Sequence, residues 1–264
     1  MSNDQFREFL REVLPSMGYS WRRFERRNIR RRVRSRMESL QIHEMARYAR
    51  LVIADAGERA VLDSLLRLTI TRFFRNSWLW SELAELISEA AVRLESGETL
   101  NIWSAGCAGG EEPFSLAMLM DDLARSGLLK RSWTILATDT DRASLERAHT
   151  GTYRWGSVRE VPRHLLHRWF SEDDGVWSLS GEVRDLVTFR EHDILTMEPP
   201  GRFHLVFLRN SVLTYNVEEV QRRALESVRS CLITPGYLII GRTEKMPEGV
   251  GFEEVEKCIY RKRE

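Results

Sequence analysis

Ser104-Ala105-Gly106-Cys107-Ala108-Gly109-Gly110-Glu111-Glu112-Pro113-Phe114-Ser115 is the stretch that decides the fold. It follows a short apolar run, residues 100–104, and opens a helical pattern over 112–124. An apolar run, a glycine turn and a helix make the first crossover of a sheet flanked by helices. Glycine lets the backbone turn tightly and approach a ligand closely. Taken alone, the turn reads equally as a ligand cradle and as a connector.

Downstream the alternation continues. Residues 133–137, 187–190, 203–208 and 237–240 are apolar runs of strand length, while 142–149 and 217–232 have helical spacing. Strands alternating with helices predict an α/β fold with a parallel sheet. Between residues 151 and 186 the pattern breaks, and Val176-Trp177-Ser178-Leu179 reads as a strand of a small accessory β subdomain. Upstream, helical spacing dominates over 5–17, 21–40, 43–53, 58–68 and 78–94. Ser20 is placed to cap the second of these helices. Ser96-Gly97-Glu98 reads as a linker, so an all-α domain over 1–97 and a sheet domain over 98–264 are expected.

Composition narrows the class. Cys107, Cys231 and Cys258 are odd in number and far apart, with neither disulfide nor metal-ligand spacing, which suits a reducing cytoplasm. Residues 1–14 are polar and lack the apolar core of a leader, and no run of about 18 apolar residues occurs to span a membrane. The net charge of +1 hides an asymmetry: residues 22–36 hold nine arginines against Glu25, or +8, leaving −7 for the rest. Ile29, Val33, Met37 and Leu40 form the apolar stripe of that helix. Its arginines suit an acidic protein partner, nucleic acid or a solvated face; no aromatic residues interleave them for base stacking.

Two acids extend the glycine turn. Asp139 follows the apolar run 133–137 and either accepts from ribose hydroxyls or, with Asp141, caps the next helix. Asp193, in His192-Asp193-Ile194, either accepts from an adenine amine with Ile194 against the ring, or shapes a turn. The spacing from Gly106 to Asp139 exceeds the roughly 20 residues of a dinucleotide fingerprint, and no Gly-Lys-Ser/Thr phosphate loop is present. Both facts favour a nucleoside cofactor without pyrophosphate.

Six motifs in order resemble the chemotaxis-receptor glutamate methyltransferase (CheR) family. Thr69-Ile70-Thr71-Arg72-Phe73-Phe74-Arg75 is similar to its N-x-T-x-F-F-R, and 106–115 to its G-C-S-T-G-E-E-P-Y-S. Ala137-Thr138-Asp139-Thr140-Asp141 resembles A-T/S-D-I-D, and Ala148-His149-Thr150-Gly151-Thr152-Tyr153 resembles A-x-x-G-x-Y. Residues 203–210 resemble F-D-x-I-F-C-R-N, and Gly241-Arg242-Thr243-Glu244 the closing G-x-S-E.

The resemblance implies a Rossmann-like class I S-adenosylmethionine methyltransferase domain behind a small helical one. It implies cofactor contacts from Thr69, Thr71, Arg75, Glu112, Asp139, Asp193, Ile194, Arg209 and Asn210, with S-adenosylhomocysteine as product. The acceptor it implies is a glutamate in the acidic helical region of a chemoreceptor, faced by Arg23, Arg27, Arg30, Arg31 and Arg34 and their neighbours. Arg75 and Tyr215 are the candidates for orienting that acceptor, Tyr215 reading equally as a buried aromatic. A monomer that inserts in no membrane and binds no nucleic acid is expected. The chain departs from the family at Thr69 and Asp193, each in place of asparagine, and at His204, in place of aspartate. It also reads Arg209-Asn210-Ser211-Val212-Leu213-Thr214-Tyr215-Asn216 against R-N-V-x-I-Y-F, one residue longer and without the final aromatic. That loop borders the acceptor in the family, which leaves a different acceptor, or a non-catalytic cofactor-binding adaptor, as alternatives. Residues 170–189 are shorter than in members that bind a receptor's C-terminal peptide, so such a tether is expected to be weak or absent.

Overall fold

The computed structural model of the protein describes residues 2–67 and 71–263. It divides into two compact units, Met1–Leu68 with Val212–Gln221 and Thr69–Ser211 with Arg222–Glu264. No helix among the described residues is long and apolar enough to cross a membrane.

The first unit is helical, with α1 (Asn3–Val13), α2 (Arg27–Ser39), α3 (Met45–Ala54) and α4 (Ala56–Leu66). A capping box starts α1: the Gln5 backbone N–H donates to Ser2 Oγ and the Ser2 N–H to Gln5 Oε1. Phe6, Phe9, Leu10 and Val13 form its buried face. Pro15 lacks the N–H that an α-helix would use, and the chain tightens to a 3-10 turn, Leu14–Met17, closed by Gly18 at φ 79°. The expected second helix begins later than residue 21. Trp21–Phe24 is a separate 3-10 turn, Ser20 makes no side-chain cap, and α2 starts only at Arg27. The Ser20 N–H donates instead to Tyr215 O, and Phe24 is buried between the rings of Tyr19 and Tyr215. Tyr215, half-buried, therefore packs against the core of this unit.

Ile29, Val33 and Met37 are the buried stripe of α2. Not all of its arginines face outward. Arg32 donates to the carbonyls of Leu65 and Arg67 at the end of α4, and Arg36 pairs with the buried Glu58.

The second unit carries α5 (Ser77–Arg93), α6 (Glu111–Arg125), α7 (Arg142–Thr150) and ten strands. The strands are β1 (Leu100–Ala105), β2 (Trp133–Asp139), β3 (Thr152–Arg154), β4 (Phe170–Asp173), β5 (Val176–Leu179), β6 (Val187–Glu191), β7 (Phe203–Leu208), β8 (Leu232–Ile240), β9 (Phe252–Glu256) and β10 (Ile259–Lys262). Seven form the main sheet in the order β6-β2-β1-β7-β8-β10-β9. The first five are mutually parallel, and β10 and β9 close one edge antiparallel. β1 and β7 are buried almost throughout, as strands covered on both faces must be. β3, β5 and β4 make the separate accessory sheet.

Helix α5 lies on the helical side of the linker at residue 97, yet Leu79, Trp80, Leu83 and Ile87 are buried in the same core as Ile102 and Phe114. The order places β2 on one side of β1 and β7 on the other. Chain direction across the sheet reverses there, and ligands of open α/β sheets bind at such a point, beyond the carboxyl ends of the strands.

Candidate cofactor site

Four parallel strands end side by side and deliver the candidate residues. Ala105 pairs with Thr138, Ser104 with Phe207 and Asp139 with Glu191. The glycine turn, Asp139, His192-Asp193 and Arg209-Asn210-Ser211 thus share one rim, all within the second unit.

The turn is anchored by its backbone. The N–H groups of Gly106 and Cys107 both donate to Thr138 O, and that of Gly110 to Cys107 O. Gly106 and Gly110 take φ of 78° and 87°, the left-handed region. A Cβ on Gly110 would lie 2.7 Å from the Phe114 ring and 2.9 Å from Ala148, so only glycine fits there. Gly110 caps α6, whose first turn holds Glu111 and Glu112 at the positive end of the helix dipole.

Asp139 faces this turn. Its Oδ2 accepts the Ala108 N–H at 2.8 Å and its Oδ1 the Asp141 N–H at 2.9 Å. A carboxylate offers about four acceptor positions, so two remain for ribose hydroxyls. Asp193 is engaged locally, accepting from Leu195 N–H and Thr196 Oγ, and the half-buried Ile194 follows it. The His192 N–H donates to Asp139 O, which ties this turn to the end of β2.

Glu112 and Arg209 form one buried-edge assembly. Glu112 Oε1 accepts from Ser104 Oγ, and Oε2 accepts from Arg209 Nη1 at 2.9 Å. Arg209 Nη2 also donates to Arg75 O and Asn76 Oδ1, while Nε has no partner. Arg209 therefore sets the backbone around Arg75. Trp80 Nε1 donates to the same Arg75 carbonyl.

Phe73 meets Tyr153 and Phe170 edge-on at 4.7 and 5.2 Å, and Phe74 packs on Trp80. These contacts fix the main chain from which Arg75 projects. The non-glycine residues Phe74, Asn76, Ala108 and Asn210 all take positive φ, so strained backbone borders the rim. Thr71 is half-buried at the start of this segment. Thr69 lies outside the described residues.

The fit to a nucleoside cofactor rests on this geometry. An open glycine turn, a carboxylate at the end of β2 and an arginine–glutamate pair at the end of β7 surround one rim, with Ser211 Oγ and Arg209 Nε left without partners. The model for "CheR methyltransferase, SAM binding domain" matches residues 69–260. The chain belongs to the CheR methyltransferase family. It is 29% identical to the chemotaxis protein methyltransferase of Listeria monocytogenes, over 96% of this chain and 95% of that one. It is 30% identical to chemotaxis protein methyltransferase 1 of Pseudomonas aeruginosa, over 78% of each. An uncharacterized 104.1 kDa protein in the hypE 3' region of Rhodobacter capsulatus is 33% identical over 83% of this chain, which spans 23% of it. The cofactor of this CheR-family methyltransferase is S-adenosylmethionine.

Sequence reasoning missed Glu111, Ser115 and Ser157 in the CheR-family domain. Glu111 is only 5% exposed; Ser157 Oγ donates to its Oε1, and its Oε2 has no partner. Burial pushes its carboxyl up to about 7. The helical spacing of 111, 114, 115 and 118 places Glu111 on the buried face of α6, and that signal was present in the sequence.

Proposed function

We propose that this methyltransferase esterifies glutamate side chains of a chemoreceptor's cytoplasmic helices. The sulfonium of S-adenosylmethionine supplies an electrophilic methyl group. A glutamate, with a reference pKa of about 4.3, is already an anion at neutral pH, so the chain need provide no general base. Its residues have only to align the carboxylate and exclude water. Arg75 suits that task, because a guanidinium grips a carboxylate through paired N–H donors. Tyr215 is the second proposed orienting group. Glu112 and Asp139 would hold the amino group and ribose of the cofactor, with Thr71, Asp193, Ile194, Arg209 and Asn210 completing its surround.

The observation that carries the choice of acceptor is the outer face of α2 and of the 3-10 turn before it. Arg23, Arg27, Arg31 and Arg34 are exposed and Arg30 half-exposed, while the apolar stripe is buried. Such a face attracts an acidic helical surface and raises its rate of encounter. The names of the Listeria and Pseudomonas relatives support a chemotaxis acceptor. A second reading keeps the cofactor and changes the acceptor. It is favoured by the Arg209–Asn216 sequence, where Val212–Tyr215 coils into a helical turn and Asn216 Nδ2 donates to Gly18 O.

Incubation of the protein with methyl-labelled cofactor and a receptor cytoplasmic fragment separates these readings. The expected outcome is label on the receptor that alkali releases as methanol. Label that survives alkali, or that appears on another acceptor only, would replace the first reading by the second.

A further inference from the structure

We infer that Glu111 is a positioning residue for the cofactor turn, acting as a neutral carboxylic acid that ties the turn to the Phe73-Phe74-Arg75 segment. The inference rests on the assignment of the 106–110 turn to the cofactor.

Two hydrogen-bonded chains run from this residue. Through its side chain, Oε1 meets Ser157 Oγ at 3.3 Å, and Ser157 O accepts the Phe73 N–H at 3.0 Å. Through its backbone, Glu111 O accepts from Ser115 Oγ at 2.6 Å, and the same Oγ accepts the Phe74 N–H at 2.9 Å. Phe74 stands at φ 49°, a conformation that a bulky residue keeps only when its surroundings hold it. The next residue is Arg75. On the other side, Oε2 lies 2.9 Å from where a Cβ of Gly109 would stand, so the carboxyl packs directly under the turn. The Gly109 carbonyl is fixed by Tyr153 OH at 2.8 Å.

No cation neutralises this carboxyl among the described residues. The charged and titratable groups around it are Arg147 of α7, Tyr153 of β3, Cys107 of the turn and Glu112 on its own helix. Arg147 directs its guanidinium to Ala143 O and Ser144 Oγ, and Glu112 is paired with Arg209. Tyr153 and Cys107 are themselves buried, and burial pushes both to higher pKa, so they stay neutral. A charged Oε2 in this place would be an unpaired buried ion. The protonated form avoids that: Ser157 Oγ donates to Oε1, the carbonyl oxygen of the acid, and Oε2 carries the proton as a neutral hydroxyl, far cheaper to leave unpaired than a charge. Ionisation forces the carboxyl toward water. The path lies past Gly109, so the turn moves and the Phe73-Phe74 anchor loosens with it. Cofactor affinity is then linked to one proton on Glu111.

The test is calorimetric titration of the full chain with S-adenosylhomocysteine from pH 6 to 8, for the native protein and for Glu111→Gln. The glutamine keeps the shape of the neutral acid and cannot ionise. The native dissociation constant is expected to rise about fivefold more across this range than that of the variant, as a one-unit upward move from about 7 on binding requires. Titration of the ligand's own amino group is common to both proteins and cancels. A carboxyl carbon resonance titrating near pH 7 in the free native protein, and moving upward by about one unit on adding the ligand, is expected independently of any variant. Equal slopes in the two proteins, or no carboxyl titrating above pH 5.5, would overturn the inference and leave the cofactor assignment standing. No binding by either protein at any pH would overturn both.

Discussion

A carboxylate among apolar side chains keeps its charge only when a cation and further donors reach it. Glu58 has both. It is 6% exposed, accepts Arg36 Nη2 at 2.6 Å and Tyr48 OH at 2.8 Å, and is held below the usual carboxylate range chiefly by Arg36. Burial holds the Tyr48 phenol neutral. Glu58→Ala leaves the tyrosine hydroxyl and the guanidinium without their acceptor. It is expected to destabilise the first unit by about 3 kcal/mol, read as a lower denaturant midpoint, while Glu38→Ala, on an exposed pair with Arg34, should cost less than about 1 kcal/mol. This division within one arginine-rich run could not be read from the sequence. Arg36 and Arg34 differ by two positions, and only the packing of α4 decides which of them meets a buried acid. The position of Asp139 was legible because it follows from a strand end: it closes β2 and faces the glycine turn. Glu111 was passed over beside Glu112, although its spacing with Phe114, Ser115 and Met118 marks it as the one of the two acids on the buried face.

At the scale of elements, α2 carries like charges at i,i+4 spacing, Arg27/Arg31 and Arg30/Arg34, each pair costing a few tenths of a kcal/mol. The buried stripe of Ile29, Val33 and Met37 holds the helix against that repulsion. Reversing Arg27 and Arg31 to Glu is expected to raise the KM for an acidic receptor fragment about tenfold, and to leave cofactor affinity unchanged. Raising salt from about 50 to 300 mM should weaken the native pairing in the same direction through screening. Steady-state kinetics with both substrates varied would read the two effects apart, and an unchanged KM would assign these arginines to solvent. Most strands and helices were legible from their period. The exceptions have local causes. β3 and β4 are short and mostly exposed, so they lack an apolar alternation, β9 is a charged edge strand whose Glu253, Glu254 and Glu256 give no apolar run, and the short β10 holds only Ile259 and Tyr260 before Arg261 and Lys262. The start of α2 shifted because Ser20 gives its backbone N–H to Tyr215, a partner almost two hundred residues away.

At the scale of the molecule, the two compact units are not two stretches of chain. Residues 212–221 leave the second unit, join Gly18 and Phe24 in the first, and return within the helix Glu218–Cys231. A sequence linker at residue 97 gives no hint of that, because a discontinuous unit is defined by contacts rather than by turn residues. The sheet unit, by contrast, follows from alternating periods and from the glycine turn, and its rim gathers Asp139 at the end of β2, Arg209 just past β7 and Glu112 in the first turn of α6. That rim is the proposed cofactor site. Calorimetry with S-adenosylhomocysteine on the native protein and on Asp139→Ala tests it most directly. Loss of charge-assisted hydrogen bonds, at about 1.5–3 kcal/mol each, predicts at least a tenfold weaker complex in the variant. Equal affinity in the two proteins, with the variant folded, would contradict it.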